Sequence, residues 1–247
     1  MSGHLISKHI KAEDLKYFES GMIRFGSLFD YAAQERIGDL GGRFDGKEGS
    51  MDVLVKWTNF VTEDGIEGPG NIAVYPATPG IVYTGSQIRN FPIGNRLIFC
   101  TSNGKYDEDR HRSICFGSGD YVGDRRLVKC VEFYKYRLME AIVDAIYERF
   151  PEIRGVHVNS IIRAAAVEYL DQPFQLEIWR KGMEVKHYLE HWEERATFVK
   201  SSVYAVEEEH RMTLPFLNGD ARYGRELLIQ SDKIRSAVRQ TYDLSMT

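Results

Sequence analysis

Apolar and polar positions along this chain alternate in short runs more often than they recur at helical spacing. Arg96–Ser102, read as Arg-Leu-Ile-Phe-Cys-Thr-Ser, is a continuous apolar run closed by small hydroxyl residues and predicts a buried strand. Met51–Val61 and Leu127–Phe133 predict two further strands, and Arg112–Phe116 another. Near the N-terminus His4–Ser7 reads as a short strand, and Met22–Phe29 as a strand turning at Gly26. Ala12–Ser20 reads as a helix, with Gly21 suited to the left-handed position that ends it. Lys135–Phe150 spaces Leu138, Ile142, Ala145, Ile146 and Phe150 along one helical stripe, and Pro151 stops it. Arg163–Leu170 fits strand or helix, Phe174–Glu194 a long charged helix, and Arg195–Met212 a loop passing into a strand. Strands without regular β-α-β alternation predict a mixed α+β fold. The expectation is mainly antiparallel sheets with two or three flanking helices, one domain over 1–247, and a helical segment at about 135–194.

Composition narrows the class. With 247 residues, 43% apolar and 12% aromatic, the chain can bury a core without disulfides and is too apolar to be disordered. Lys plus Arg number 32 against 36 Asp plus Glu, a net charge of −4, which argues against wholesale electrostatic binding to nucleic acid. No window reaches the ~18 apolar residues of a membrane span, and no apolar leader follows the N-terminus. The three cysteines, Cys100, Cys115 and Cys130, form no C-x-x-C pair and fit reduced, buried thiols in a cytoplasmic protein.

Chemistry concentrates at a few points. If Tyr204–Met212 is a strand, Glu207, Glu209 and Arg211 share one face, with two like charges about 7 Å apart. Such a pair can hold a ribose hydroxyl or a cationic transition state, or form a solvated ion pair with Arg211. Phe99-Cys100-Thr101-Ser102 ends a strand in groups that both donate and accept hydrogen bonds. His187, Glu190 and His191 form H-x-x-E-H, which on a helix could grip one zinc ion. Gly117, Gly119 and Gly123 fit a turn better than a phosphate loop. Arg110, Arg112, Arg125, Arg126 and Lys129 with Tyr121 could form a basic strip, or pair with neighbouring acids.

The order of short motifs resembles a family of uncharacterised bacterial and mobile-element proteins. The matching pieces are Ser20–Leu28 with Tyr31, Arg43–Gly49, Phe99–Ser102, Cys115–Gly117, Phe198–Lys200, Tyr204 and Glu207–Arg211. A second resemblance, to the ADP-ribosyltransferase superfamily, supplies chemistry. Those enzymes carry a His or Arg on the first strand, an aromatic followed by Ser-Thr-Ser on a later one, and a late Glu-x-Glu. Here His4 or Lys8, Phe99–Ser102 and Glu207–Glu209 correspond, with Cys100 in place of the first Ser. The resemblance implies an enzyme that consumes NAD and transfers ADP-ribose to a macromolecular acceptor, protein or nucleic acid, as toxins and antiviral-defence effectors do. Glu209 would then stabilise the developing cation and Glu207 would orient or deprotonate the acceptor. His4 would hold the ribose or nicotinamide end and Ser102 would support the pocket. Tyr204 or Tyr31 would stack on nicotinamide, and Lys200 and Arg24 would meet the diphosphate. Two other classes stand beside it: a zinc-dependent hydrolase built on H-x-x-E-H, and a non-catalytic binding or regulatory module with the Glu207, Glu209 and Arg211 charges on an open surface.

Overall fold

A computed structural model describes residues 4–28, 96–171, 195–218 and 226–244 in full, and the strands at 50–60, 82–92 and 174–178 through their backbone. The chain divides into two compact units, one of 1–49, 94–169 and 198–247, the other of 50–93 and 170–197. The fold is mixed α+β with a mainly antiparallel sheet and a few helices.

The first unit opens with strand β1 (Leu5–Ile10), helix α1 (Leu15–Glu19) and strand β2 (Met22–Ser27). Gly21 turns α1 into β2 at φ 71°, and a Cβ there would lie 2.3 Å from the carbonyl oxygen of Ser231, so only glycine fits. Strands β3 (Ser50–Phe60) and β4 (Val82–Pro92) follow in the second unit. The first unit then resumes with β5 (Leu97–Asn103), α2 (Glu108–Phe116), β6 (Lys129–Tyr134), α3 (Lys135–Arg149), α4 (Val158–Ile161), β7 (Arg163–Ala166) and β8 (Glu168–Tyr169). Strand β9 (Phe174–Ile178) belongs to the second unit, where β4 lies antiparallel and β9 parallel to β3. The chain closes with β10 (Val199–Lys200), a 3-10 turn (Ser202–Glu207), β11 (Glu209–Thr213), β12 (Glu226–Gln230), α5 (Asp232–Ala237) and β13 (Val238–Asp243).

Four expected elements differ. Arg112–Phe116 is helix, not strand, because Asp107 caps α2 by accepting the Arg110 N–H at 2.8 Å and acidic residues fill the first turn. The expected helical segment at 135–194 is helical over α3 and the single turn α4, after which β7, β8 and β9 are strands. Phe174–Ile178, expected to begin a charged helix, pairs with β3. Glu207 lies in the 3-10 turn, so the expected strand over Tyr204–Met212 begins at Glu209.

The eight-stranded sheet of the first unit branches at β5. Its order runs β12-β2-β5-β1-β6-β13, with β11 and then β7 on the other edge of β5. Both β2 and β1 use the same edge of β5: Gly26 and Ser27 pair with Ile98 and Leu97 at one end, and Ile6 and Ser7 pair with Asn103 and Ser102 at the other. Between these pairings β1 and β2 diverge, and the sheet forks.

Register sorts the faces. Ser7, Ser102 and Glu209 lie directly opposite one another, so with His9, Cys100 and Arg211 two residues along they occupy one face. The other face carries Ile6, Ile10, Phe99, Val131, Phe133 and Met212, buried against Leu138, Ile142 and Ile146 of α3. Each fully buried side chain of this size contributes about 1.5–3 kcal/mol. Thus one sheet face anchors the core, with Lys8, Thr101 and His210 among its positions, and the other carries Ser7, His9, Ser102, Glu209 and Arg211.

Candidate functional site

The fork opens a cavity of about 600 Å³, within the usual range for small-molecule sites. Phe99–Ser102 of β5, Lys8 to Ile10 of β1 with Lys11 just after it, Met22 to Arg24 of β2, and Tyr17 and Phe18 of α1 line it. Lys200, Glu207 and Glu209 line it as well, and Arg24, Glu226 and the half-exposed Leu228 complete the wall.

A buried charge cluster holds the carboxylates. Lys200 Nζ donates to Glu207 Oε2 at 2.8 Å and to Glu209 Oε2 at 3.1 Å. Arg211 Nε donates to Glu209 Oε1 at 2.6 Å, and Arg211 is only 1% exposed. Tyr121 donates its hydroxyl to Glu207 Oε1 at 2.9 Å, and the Lys200 ammonium lies 4.4 Å from the centre of the Tyr204 ring. Burial by itself would push the Glu209 carboxyl up. Arg211 and Lys200 overcome it and hold Glu209 well below the usual carboxylate range, so it is a fixed negative charge near neutrality.

The backbone brings the two carboxylates together by a break in the strand. Glu208 has φ 43° and ψ 47°, a left-handed conformation that sets Glu207 in the 3-10 turn and Glu209 on β11. The Asn103 N–H donates to the Glu208 carbonyl at 2.7 Å, and Arg110 of α2 donates to the Glu208 carboxylate at 2.5 Å. The same guanidinium reaches the carbonyls of Asn103 and Lys105 at 2.9 and 2.8 Å and Ser7 Oγ at 3.4 Å. The Glu209 N–H donates to the Tyr169 hydroxyl at 2.6 Å.

A histidine pair lies on the same polar face. His9 Nδ1 is 3.4 Å from Ser102 Oγ, and the His9 ring lies 4.7 Å from that of His111. His111 Nε2 is 2.7 Å from the Leu127 carbonyl, which requires an N–H there, so its Nδ1 accepts from the Tyr106 hydroxyl at 3.3 Å. Burial pushes His111 down, which favours this neutral tautomer.

The expected site residues fall into three groups. Phe99, Ser102, Arg24, Lys200, Glu207 and Glu209 all line the cavity. His4 does not: it precedes β1, is exposed, and sets its ring 5.0 Å from Tyr136, while Lys8 and His9 occupy the cavity wall. Tyr204 lies beneath Lys200 and outside the lining, and Tyr17 is the tyrosine that borders the cavity. Tyr31 and the His187, Glu190, His191 set lie outside the described residues. Lys200 is engaged by the two carboxylates, which leaves Arg24, 3.4 Å from Glu226, as the basic group at the rim among those expected for a diphosphate.

The open surface expected of a binding module is not found, since Glu209 and Arg211 are buried. Of the expected basic strip, Arg110 pairs with Glu208, Arg112 with Glu108, Arg126 with Asp124 and Lys129 with Asp243, Arg125 is exposed, and Tyr121 is buried. Among the described residues no group of three or more His, Cys, Asp or Glu side chains could hold a metal ion. No helix among them is long and apolar enough to cross a membrane.

Sequence reasoning missed His9 and Tyr17, which line the cavity. The signal for His9 was present, because extending the first strand to Ile10 puts Ser7 and His9 on one face. Compared with protein-family models, curated proteins and solved structures, the chain matches none.

Proposed function

We propose that this protein is an NAD-consuming enzyme of ADP-ribosyltransferase type, transferring ADP-ribose to a macromolecular acceptor in the manner of toxins and defence effectors. The observation that carries this reading is the convergence of Ser102 and Glu209, paired on adjacent strands, in the cavity of a forked sheet. That juxtaposition follows the motif order of the superfamily this sequence resembles: a basic first strand, an aromatic strand ending in Thr-Ser, and a Glu-x-Glu whose second glutamate opens the neighbouring strand.

The chemistry suits the groups present. Nicotinamide leaves with the electron pair of the bond to ribose, which neutralises its ring and leaves an electron-poor ribose carbon. Glu209, kept ionised by its cations, offers a fixed negative charge to that centre without binding its proton. Glu207, with one oxygen toward Tyr121 and one toward Lys200, lies beside it to orient the acceptor or take its proton. Tyr17 offers an aromatic face to a ring of the dinucleotide, and Arg24 offers a cation to its phosphates.

The experiment is nicotinamide release from NAD by the purified chain, with NAD binding followed by calorimetry. Wild type should bind and turn over NAD, and a folded Glu209→Gln variant should be slower by about 100-fold or more. A wild type that neither binds NAD nor releases nicotinamide overturns the reading, as does equal turnover in the variant.

A further inference from the structure

Past the cavity the polar face of the sheet continues through Cys130, Glu132 and Tyr134 of β6, and the first turn of α3 follows directly with Tyr136 and Arg137. Tyr134, the last residue of β6, is 37% exposed, and Tyr136, in the first turn of α3, is 54% exposed. The Arg137 guanidinium lies 4.8 Å from the centre of the Tyr134 ring. Arg239 of β13 pairs with the buried carboxylate of Glu132, two residues before Tyr134 on the same face, and Tyr242 and Tyr134 also interact electrostatically with it. Tyr242 in turn stacks on Tyr106, centres 4.0 Å apart and planes 8° from parallel.

Tyr134 and Tyr136 are left exposed, the latter with the His4 ring 5.0 Å away, although protein surfaces disfavour clustered large rings. Their cations are placed beside the rings and not merely near acids. Arg137 rests on the Tyr134 ring, and Arg239 satisfies an otherwise buried carboxylate while keeping 40% of its side chain exposed. Glu140 lies one turn further along α3 from Tyr136 and is exposed. Aromatic faces interleaved with guanidinium groups are the means by which proteins hold unpaired bases and their phosphates without reading sequence.

We propose that this surface, centred on Tyr134, Tyr136 and Arg137, binds single-stranded nucleic acid. Bases stack on the two tyrosines, and Arg137 and Arg239 meet the phosphates. The site is separate from the cavity and does not depend on NAD chemistry.

The test is fluorescence anisotropy of a labelled oligothymidylate of about 12 nucleotides with the full chain, at about 50 and 200 mM salt. Wild type should bind, more weakly at the higher salt. Tyr134→Ala with Tyr136→Ala should weaken binding at least about 30-fold with an unchanged melting temperature, and the double Phe variant should bind as wild type does. Arg137→Ala should lower the slope of log K against log salt by about 0.7. No binding by wild type at the lower salt overturns the proposal, as does unchanged binding by the folded double Ala variant. Equal binding of a labelled polyglutamate peptide also overturns it and assigns the surface to an acidic protein partner.

Discussion

Lys8 reaches across the fork of the sheet and donates from Nζ to the backbone carbonyl of Cys100 at 2.6 Å. Cys100 sits where β2 has left β5 and β1 has not yet joined it, so neither strand is in register with it on that edge. The same ammonium lies 4.8 Å from the centre of the Phe99 ring. The lysine therefore satisfies the backbone that the cavity leaves open. Lys8→Met should lose about 1.5–3 kcal/mol, the worth of a hydrogen bond from a charged donor, and lower the melting temperature by roughly 3–12 °C in a chain of this size. A thermal melt unchanged by the substitution would remove this role.

Glu209 has two duties that mutation can separate. It neutralises the buried Arg211, and it supplies negative charge to the cavity. Glu209→Gln leaves a guanidinium buried against a neutral amide, which should destabilise the fold by about 3–5 kcal/mol. Adding Arg211→Met removes the stranded charge and should restore most of that stability without restoring NAD turnover. Urea denaturation together with nicotinamide release reads both. If the double variant recovers activity along with stability, Glu209 is a structural residue only.

What could be read from sequence, and what could not, follows the range of each interaction. Arg96–Ser102 was legible because a strand buried on both faces is an uninterrupted apolar run, and α3 because its stripe recurs at helical spacing. Arg112–Phe116 misled because the apolar Ile114, Cys115 and Phe116 sit together, while the determining residue, the Asp107 cap, lies five positions upstream. Glu207 and Glu209 were identified as a pair, but for a strand geometry they do not have. Their convergence depends on a left-handed Glu208, a conformation that glycine or asparagine announces and glutamate does not. The fork was illegible altogether, because it arises from which distant strands share one edge of β5.

The Arg110 clip should matter more than the ion pair it makes. The Glu208 carboxylate is 63% exposed, so its pairing with Arg110 contributes no more than about 1 kcal/mol. Glu208→Gly loses that pair but removes about 1 kcal/mol of left-handed strain, and stability should change little. Arg110→Ala instead also abandons the carbonyls of Asn103 and Lys105 and the Ser7 hydroxyl. It should cost about 3 kcal/mol or more, with α2 loosened from the strand ends it joins. Comparable denaturation midpoints for the two variants would contradict this ordering.

His210 predicts how the fold responds to acid. It lies on β11 opposite Thr101, is 1% exposed, and neither ring nitrogen finds a hydrogen-bond partner in another residue among those described. Burial, with the positive charge of Lys135, pushes its pKa from 6.5 down to about 4, while Glu209 opposes the shift. Between those values the unfolded chain binds a proton that the folded chain refuses, so acid favours unfolding. Stability is full above about pH 6.5 and falls as the pH drops toward 4, by about 3 kcal/mol from this residue. His111, also lowered by burial, acts in the same direction, whereas Glu209 adds its loss only below the ordinary carboxylate range. His210→Leu removes the imidazole and both unsatisfied nitrogens, so it should be neutral or stabilising at pH 7 and should flatten the pH dependence between 6.5 and 4. Denaturation midpoints across that range decide it: a variant that keeps the full wild-type slope would place the acid sensitivity elsewhere, and His111→Leu would then be the residue to carry it.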